Sequence, residues 1–247
     1  MPSDVGITDW DQTRLPKGEL DEPSLIVEES LKAHRRALIG YKGDPNVDKS
    51  LLELALNPVH VAISLEGEVT LYPKIGDLIR EYFRSGFKTV FLVTNGLSPK
   101  AIDELTCEPS QLYVSVCAPN KKVYHEVCRP LVKDGWKRLN ETLELLETLS
   151  CPTVMRITLV RHLNLKDVNG YARIARKANS TYLEPKAAMS IGFFLKRIPK
   201  EYMPTHGEVK SFAQRLSELT GYNIIDEAPP SRVVLLSKLI KPVKLVN

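Results

Sequence analysis

Short apolar runs of strand length alternate with helical patterns along most of this 247-residue chain, with no hairpin signal between them. Parallel strands must be joined by crossovers, most often helical, so the alternation predicts an α/β fold with a mainly parallel sheet and right-handed connections. Strands are read near 59–64, 89–93, 111–116, 154–160, 181–185, 222–225 and 232–236. Helices are read from Asp21 to Gly40, from near Lys74 to Gly86, and over 99–105, 136–149, 166–177 and 205–219. The first has Pro23 in its first turn and an Ile26, Val27, Leu31, Leu38, Ile39 stripe; the last opens on Thr205 with Glu208 three residues on, a capping-box pattern. Residues 1–20 show no sustained period and read as an irregular arm, leaving 21–247 as a single α/β domain.

Charge excludes little. There are 34 Lys+Arg and 30 Asp+Glu, a net +4, which permits a nucleic-acid partner without requiring one. The four cysteines, Cys107, Cys117, Cys128 and Cys151, are too far apart for a Cys-x-x-Cys motif, so no metal ligand is assigned and the thiols are expected to be reduced. Without a long apolar stretch or a signal peptide, the expected location is cytoplasmic and no membrane partner is expected.

The stretch HVAISLEGEVTLYP, 60–73, reads as strand, turn and helix start. Gly67 at the strand end lets backbone approach a ligand, and Glu68 beside it can accept hydrogen bonds from an ammonium group; a tight turn with solvated glutamates is the other reading. The same end of the later strands offers Asn95, Ser115, Arg156, Glu184 and Lys186. In α/β sheets ligands collect at the carboxyl ends of strands, so these six side chains are expected at one mouth, although each taken singly also suits a cap or a turn.

With these residues in place, the chain resembles the radical S-adenosylmethionine tRNA 4-demethylwyosine synthases of wybutosine biosynthesis. The resemblance rests on AISLEGEVTLYP, FLVTNG, QLYVSV, MRITLV, YLEPKA and MPTHGEV in this order and spacing. It implies a partial (β/α) TIM-like barrel. It also implies that Gly67 and Glu68 hold the methionyl amino group of S-adenosylmethionine, with Asn95, Ser115, Arg156 and Leu159 lining the rest of that pocket. The implied reaction joins a two-carbon piece of pyruvate to N1-methylguanosine in tRNA-Phe, with a [4Fe–4S] cluster and an electron donor. Glu184 and Lys186 are the catalytic candidates, Lys186 as a Schiff-base amine. Arg129, Lys196, Arg197 and Arg232 are the candidates for a basic rim that holds tRNA.

The sequence departs from the family pattern in two places. The Cys-x-x-x-Cys-x-x-Cys loop that the family uses for its cluster is not found in it, and neither is the family's first strand. Cys117 stands where an acidic residue usually follows Ser-Val. Without those thiolates the polypeptide as written is expected to be truncated and inactive. The alternative is a shortened, non-catalytic relative that binds tRNA or S-adenosylmethionine.

Overall fold

The computed structural model describes residues 20–64 and 67–246, so the expected arm falls almost wholly outside the described residues. Seven strands form one sheet: β1 (His60–Ile63), β2 (Thr89–Thr94), β3 (Gln111–Ser115), β4 (Thr153–Leu159), β5 (Tyr182–Ala187), β6 (Asn223–Ala228) and β7 (Val233–Ser237). The order is β1-β2-β3-β4-β5-β7-β6, and β1 to β5 are parallel. The last two strands depart from the expected alternation. β7 is antiparallel to both β5 and β6, because only Pro229–Ser231 and Arg232 separate β6 from β7, too little chain for a crossover.

The helices are α1 (Pro23–Leu38), α2 (Lys49–Leu56), α3 (Ile75–Arg84), α4 (Pro99–Asp103), α5 (Lys121–Cys128), α6 (Gly135–Leu145), α7 (Val168–Ala178) and α8 (His206–Thr220). Neither α2 nor α5 is expected from periodicity. Both are two-turn helices made by their caps: Asp48 accepts from the backbone of Ser50 and Leu51, and Asn120 from Val123. At α8 the capping box is formed as read from the sequence.

Strand residues alternate between two different environments. Val90 and Leu92, Leu112 and Val114, Met155 and Ile157, and Leu183 point to one face and are wholly shielded from solvent. This face forms the core with α3, α6, α7 and α8, each buried side chain contributing about 1.5–3 kcal/mol. The opposite face holds Phe91, Val93, Tyr113, Ser115, Arg156, Thr158, Glu184 and Lys186, all half-buried. Its lower end is closed by the chain after β7, where the Val243 N–H donates to the Tyr182 hydroxyl. Its upper end, where the parallel strands finish, remains open.

Candidate active site at the strand ends

Glu68 lies beyond β1, at the cap of the single helical turn Val69–Leu71. Gly67 before it has φ +82°, a left-handed conformation, and a side chain there would be strained even though the space is open. One Glu68 oxygen, Oε1, accepts from the Thr70 N–H at 3.1 Å and from the hydroxyls of Thr70 and Thr94 at 2.6 and 2.5 Å. The other, Oε2, accepts the Asn95 N–H at 2.8 Å. The carboxylate thus ties the end of β1 to the end of β2 and retains acceptor capacity on Oε2.

Asn95 is exposed, and its side-chain oxygen accepts the Leu97 N–H at 3.0 Å. Gly96 follows with φ +73°, and a Cβ there would come within 2.9 Å of Leu139 on α6; the Gly96 carbonyl accepts from the buried Thr142 hydroxyl at 2.7 Å. The polar Thr-Asn-Gly tip is therefore seated on α6 through a position that only glycine fits.

Register places Ser115 beside Arg156, Arg156 beside Glu184, and Thr158 beside Lys186. The Arg156 guanidinium makes a paired contact with Glu184, Nε to Oε1 at 2.7 Å and Nη2 to Oε2 at 3.2 Å, and lies 4.3 Å from the Tyr113 ring centre. The Tyr113 hydroxyl donates to Gln111 at 2.9 Å, and burial, with the Glu184 charge adding to it, raises its pKa above the usual phenol value. Lys186 is half-buried one step further along β5, and among the described residues no hydrogen bond or ion pair engages its Nζ.

The structure thus brings Glu68 together with Asn95, and Ser115 together with Arg156, Glu184 and Lys186, at adjacent ends of neighbouring strands. Lys186 lies within β5 rather than beyond it, since that strand runs two residues past the expected 185. Leu159 falls elsewhere: strand alternation turns its wholly buried side chain into the helix-covered core. Only its backbone reaches the strand end, where its carbonyl accepts the Ala188 N–H at 2.8 Å.

Of the basic candidates, Arg129 caps α5 in a left-handed conformation and is exposed. Arg232 precedes β7, its carbonyl accepts the Ala187 N–H, and one guanidinium nitrogen donates to the Pro204 carbonyl at 3.1 Å. Lys196 and Arg197 lie in the connection that leaves the end of β5.

Asn164, not singled out from sequence, organises the mouth from beneath. It is wholly buried; its Oδ1 accepts the Val160 N–H at 2.6 Å, while Nδ2 donates to the carbonyls of Cys117 and Thr158 at 2.7 and 2.8 Å. One side chain thus satisfies backbone groups beyond the ends of both β3 and β4. A lone loop asparagine gives no sequence signal of this.

The described thiols do not suit an iron–sulfur cluster. Cys107 and Cys151 precede β3 and β4, at the end of the sheet opposite the mouth, whereas Cys117 follows β3. Three or four thiolates are needed, and among the described residues no three His, Cys, Asp or Glu side chains gather. A cleft of about 680 Å³ lies between the starts of α3, α4 and α6 and is lined in part by Thr70, which donates to Glu68. Its cations are matched internally, Lys74 by Glu22 at 2.6 Å and Arg138 by Asp134 at 2.8 Å. Among the described residues no helix is long and apolar enough to cross a membrane.

Parallel strands with helices on one face and polar side chains converging at their carboxyl ends define an α/β protein of the radical S-adenosylmethionine class, and residues 21–175 match that superfamily. Residues 177–238 match the wyosine base formation family. The chain belongs to the family of S-adenosyl-L-methionine-dependent tRNA 4-demethylwyosine synthases. It is 46% identical over 230 residues to the protein of that name from Pyrococcus horikoshii, covering 92% of this chain and 67% of that one. The Methanocaldococcus jannaschii protein is 37% identical over 237 residues, 96% of this chain and 73% of the other. Among solved structures, TYW1 with a lysine–pyruvate adduct bound superposes with a TM-score of 0.82 at 34% identity, covering 92% of this chain and 73% of that one. The crystal structure of archaeal TYW1 gives 0.77 at 32% identity, covering 93% and 75%.

Proposed function

We propose that the open strand ends bind S-adenosylmethionine for the synthesis of 4-demethylwyosine in tRNA-Phe, from N1-methylguanosine and pyruvate. The observation that carries this reading is the Glu68 carboxylate, fixed by Thr70, Thr94 and Asn95 with acceptor capacity left on Oε2, at the head of a row that continues through Ser115 and Arg156. A fixed carboxylate suits the methionyl ammonium, and the Ser115 hydroxyl suits the carboxylate beside it. When bound, S-adenosylmethionine supplies the sulfonium carbon from which this superfamily generates its radical. The chain's own contribution is placement. Arg156 orients Glu184, and Asn95 and the Leu159 backbone bound the cofactor's other side.

Lys186 is the amine for pyruvate: its Nζ adds to the keto carbon and the keto oxygen leaves as water, giving an imine. The lysine–pyruvate adduct in the solved TYW1 structure shows such chemistry in that relative. Arg129, Lys196, Arg197 and Arg232 are the side chains for tRNA phosphates, while the target base leaves its stack. The reaction also needs an electron donor. Among the described residues no set of thiols fits a cluster.

Calorimetric titration of the full chain with S-adenosylmethionine tests the site. Glu68→Gln should weaken binding roughly tenfold or more, as expected when a charge-assisted hydrogen bond becomes a neutral one. Unchanged affinity in a folded variant would refute the assignment. The arrangement of the thiols favours a second reading, a relative that binds S-adenosylmethionine or tRNA without turnover. Formation of 4-demethylwyosine on N1-methylguanosine tRNA by this chain would exclude it.

A further inference from the structure

Where β4 ends, the chain turns through Arg161 and His162 at the open end of the sheet, and the connection that leaves the end of β5 returns there at Tyr202 before α8 starts. The His162 and Tyr202 rings meet edge to face, with 5.1 Å between centres and 67° between planes, so each keeps a face that the other does not cover. His162 is exposed and Tyr202 half-buried. The His162 backbone has φ +67°, in the left-handed region. The other described non-glycine residues with positive φ, Arg129, Asp167, Asn179 and Arg232, each cap a helix, whereas His162 caps none. Neighbouring groups hold it there. The Arg161 N–H donates to the Tyr202 carbonyl at 2.8 Å, and its guanidinium engages Glu208 and the Glu201 carbonyl. The Val160 carbonyl accepts from the N–H groups of Leu163, Asn164 and Leu165 at 3.2, 3.1 and 3.2 Å. None of these bonds uses the imidazole, and among the described residues no hydrogen bond or ion pair engages it.

We propose that His162 and Tyr202 form a stacking platform for one unpaired nucleobase of the RNA, an assignment that rests on the tRNA reading above and gives one base of that RNA its place. Unpaired bases are taken up by stacking on aromatic rings, imidazole among them, because every base has a π-face to offer. A base in a duplex has both faces covered by its neighbours, so the platform selects loops and single strands. The backbone bonds on either side fix both rings before the base arrives, which lowers the ordering cost of binding. The fold itself gains little from the imidazole. It makes no hydrogen bond, and glycine would take φ +67° without strain, so a costly conformation is kept for a ring that faces solvent. Lys166, four residues after His162, and Lys200, two before Tyr202, are both exposed and supply charge for the phosphates of the same strand.

The test uses the full chain and fluorescence titration with tRNA-Phe carrying N1-methylguanosine, with a short single-stranded RNA containing one 2-aminopurine, and with the same strand paired to its complement. His162→Gly and Tyr202→Ala should each weaken binding of the tRNA and of the single strand roughly tenfold, the loss of one stacked base. Duplex binding and the salt dependence should stay as in the wild type, since no phosphate contact is removed. The quenching of 2-aminopurine seen with the wild type should be lost in His162→Gly and kept in His162→Phe. Because glycine suits the left-handed backbone, His162→Gly should hold or raise the melting temperature, which separates loss of the ring from loss of the fold. A folded His162→Gly chain that binds both unpaired probes and quenches the fluorophore as the wild type does would overturn the platform and leave the tRNA reading standing. A wild type that binds and quenches the single strand but not the tRNA would overturn the tRNA reading and keep the platform. Binding to neither would overturn both.

Discussion

The Arg156 guanidinium is clamped between two strands, doubly hydrogen-bonded to Glu184 on β5 and stacked 4.3 Å from the Tyr113 ring on β3. Side-chain exposures of 27% for Arg156 and 13% for Glu184 mean that water only partly screens the pair. Removing one partner leaves the other's charge under-solvated. Glu184→Gln should therefore destabilise the chain by about 2 kcal/mol. A double-mutant cycle with Arg156→Gln in urea should return a coupling of about 1–3 kcal/mol. Additive effects would show that the contact does not hold the face together.

Replacing Asn164 by alanine strips partners from one buried N–H and two part-buried carbonyls. The expected loss is about 3 kcal/mol, with a melting temperature lower by several degrees. Asn164→Asp should fail to rescue, since its carboxylate cannot donate to the carbonyls of Cys117 and Thr158. A melting curve matching the wild type would contradict this account.

Gly96→Ala adds a methyl at φ +73°, 2.9 Å from Leu139 Cδ1. Backbone strain and crowding act together, so a loss of about 2–3 kcal/mol is expected by chemical denaturation. The Asn95 N–H that Glu68 accepts would move with the turn, and S-adenosylmethionine binding should weaken in parallel. Preserved affinity in the destabilised variant would separate the turn from the site.

Acid stability should carry the signature of Glu208. Hydrogen bonds from the Arg161 guanidinium, then from the Thr205 backbone, lower its pKa from 4.5 to about 2. The native state thus releases this proton more readily than the unfolded chain does. The stabilisation is present above about 4.5 and disappears as pH falls through about 2. Melting temperatures of the wild type and Glu208→Gln should differ at pH 6 and converge near pH 2; a constant gap would reassign the effect to packing.

At the rim, Arg129→Ala should lower tRNA affinity and flatten its salt dependence by about one unit of slope. Filter binding over a range of potassium chloride measures this, and an unchanged slope would remove Arg129 from the tRNA surface.

The alternation of strand and helix was legible in the amino-acid order because sheet and helix impose periods of two and 3.6 on apolar residues. The parallel order of β1 to β5 follows from it. The candidate side chains were legible for a related reason: they break the apolar runs at strand ends, as with Glu68, Asn95, Ser115 and Lys186. The direction of Leu159 was not, because a strand end in a family pattern does not say which face a side chain takes. The antiparallel β6–β7 pair depended on a short proline-containing connection with no glycine pair to mark it. Asn164 joined residues distant in sequence through the backbone carbonyls of Cys117 and Thr158. Periodicity records what each residue does along its own strand or helix. Only the packed chain decides which strand ends become neighbours, because hydrogen bonds and desolvation act across space rather than along the sequence.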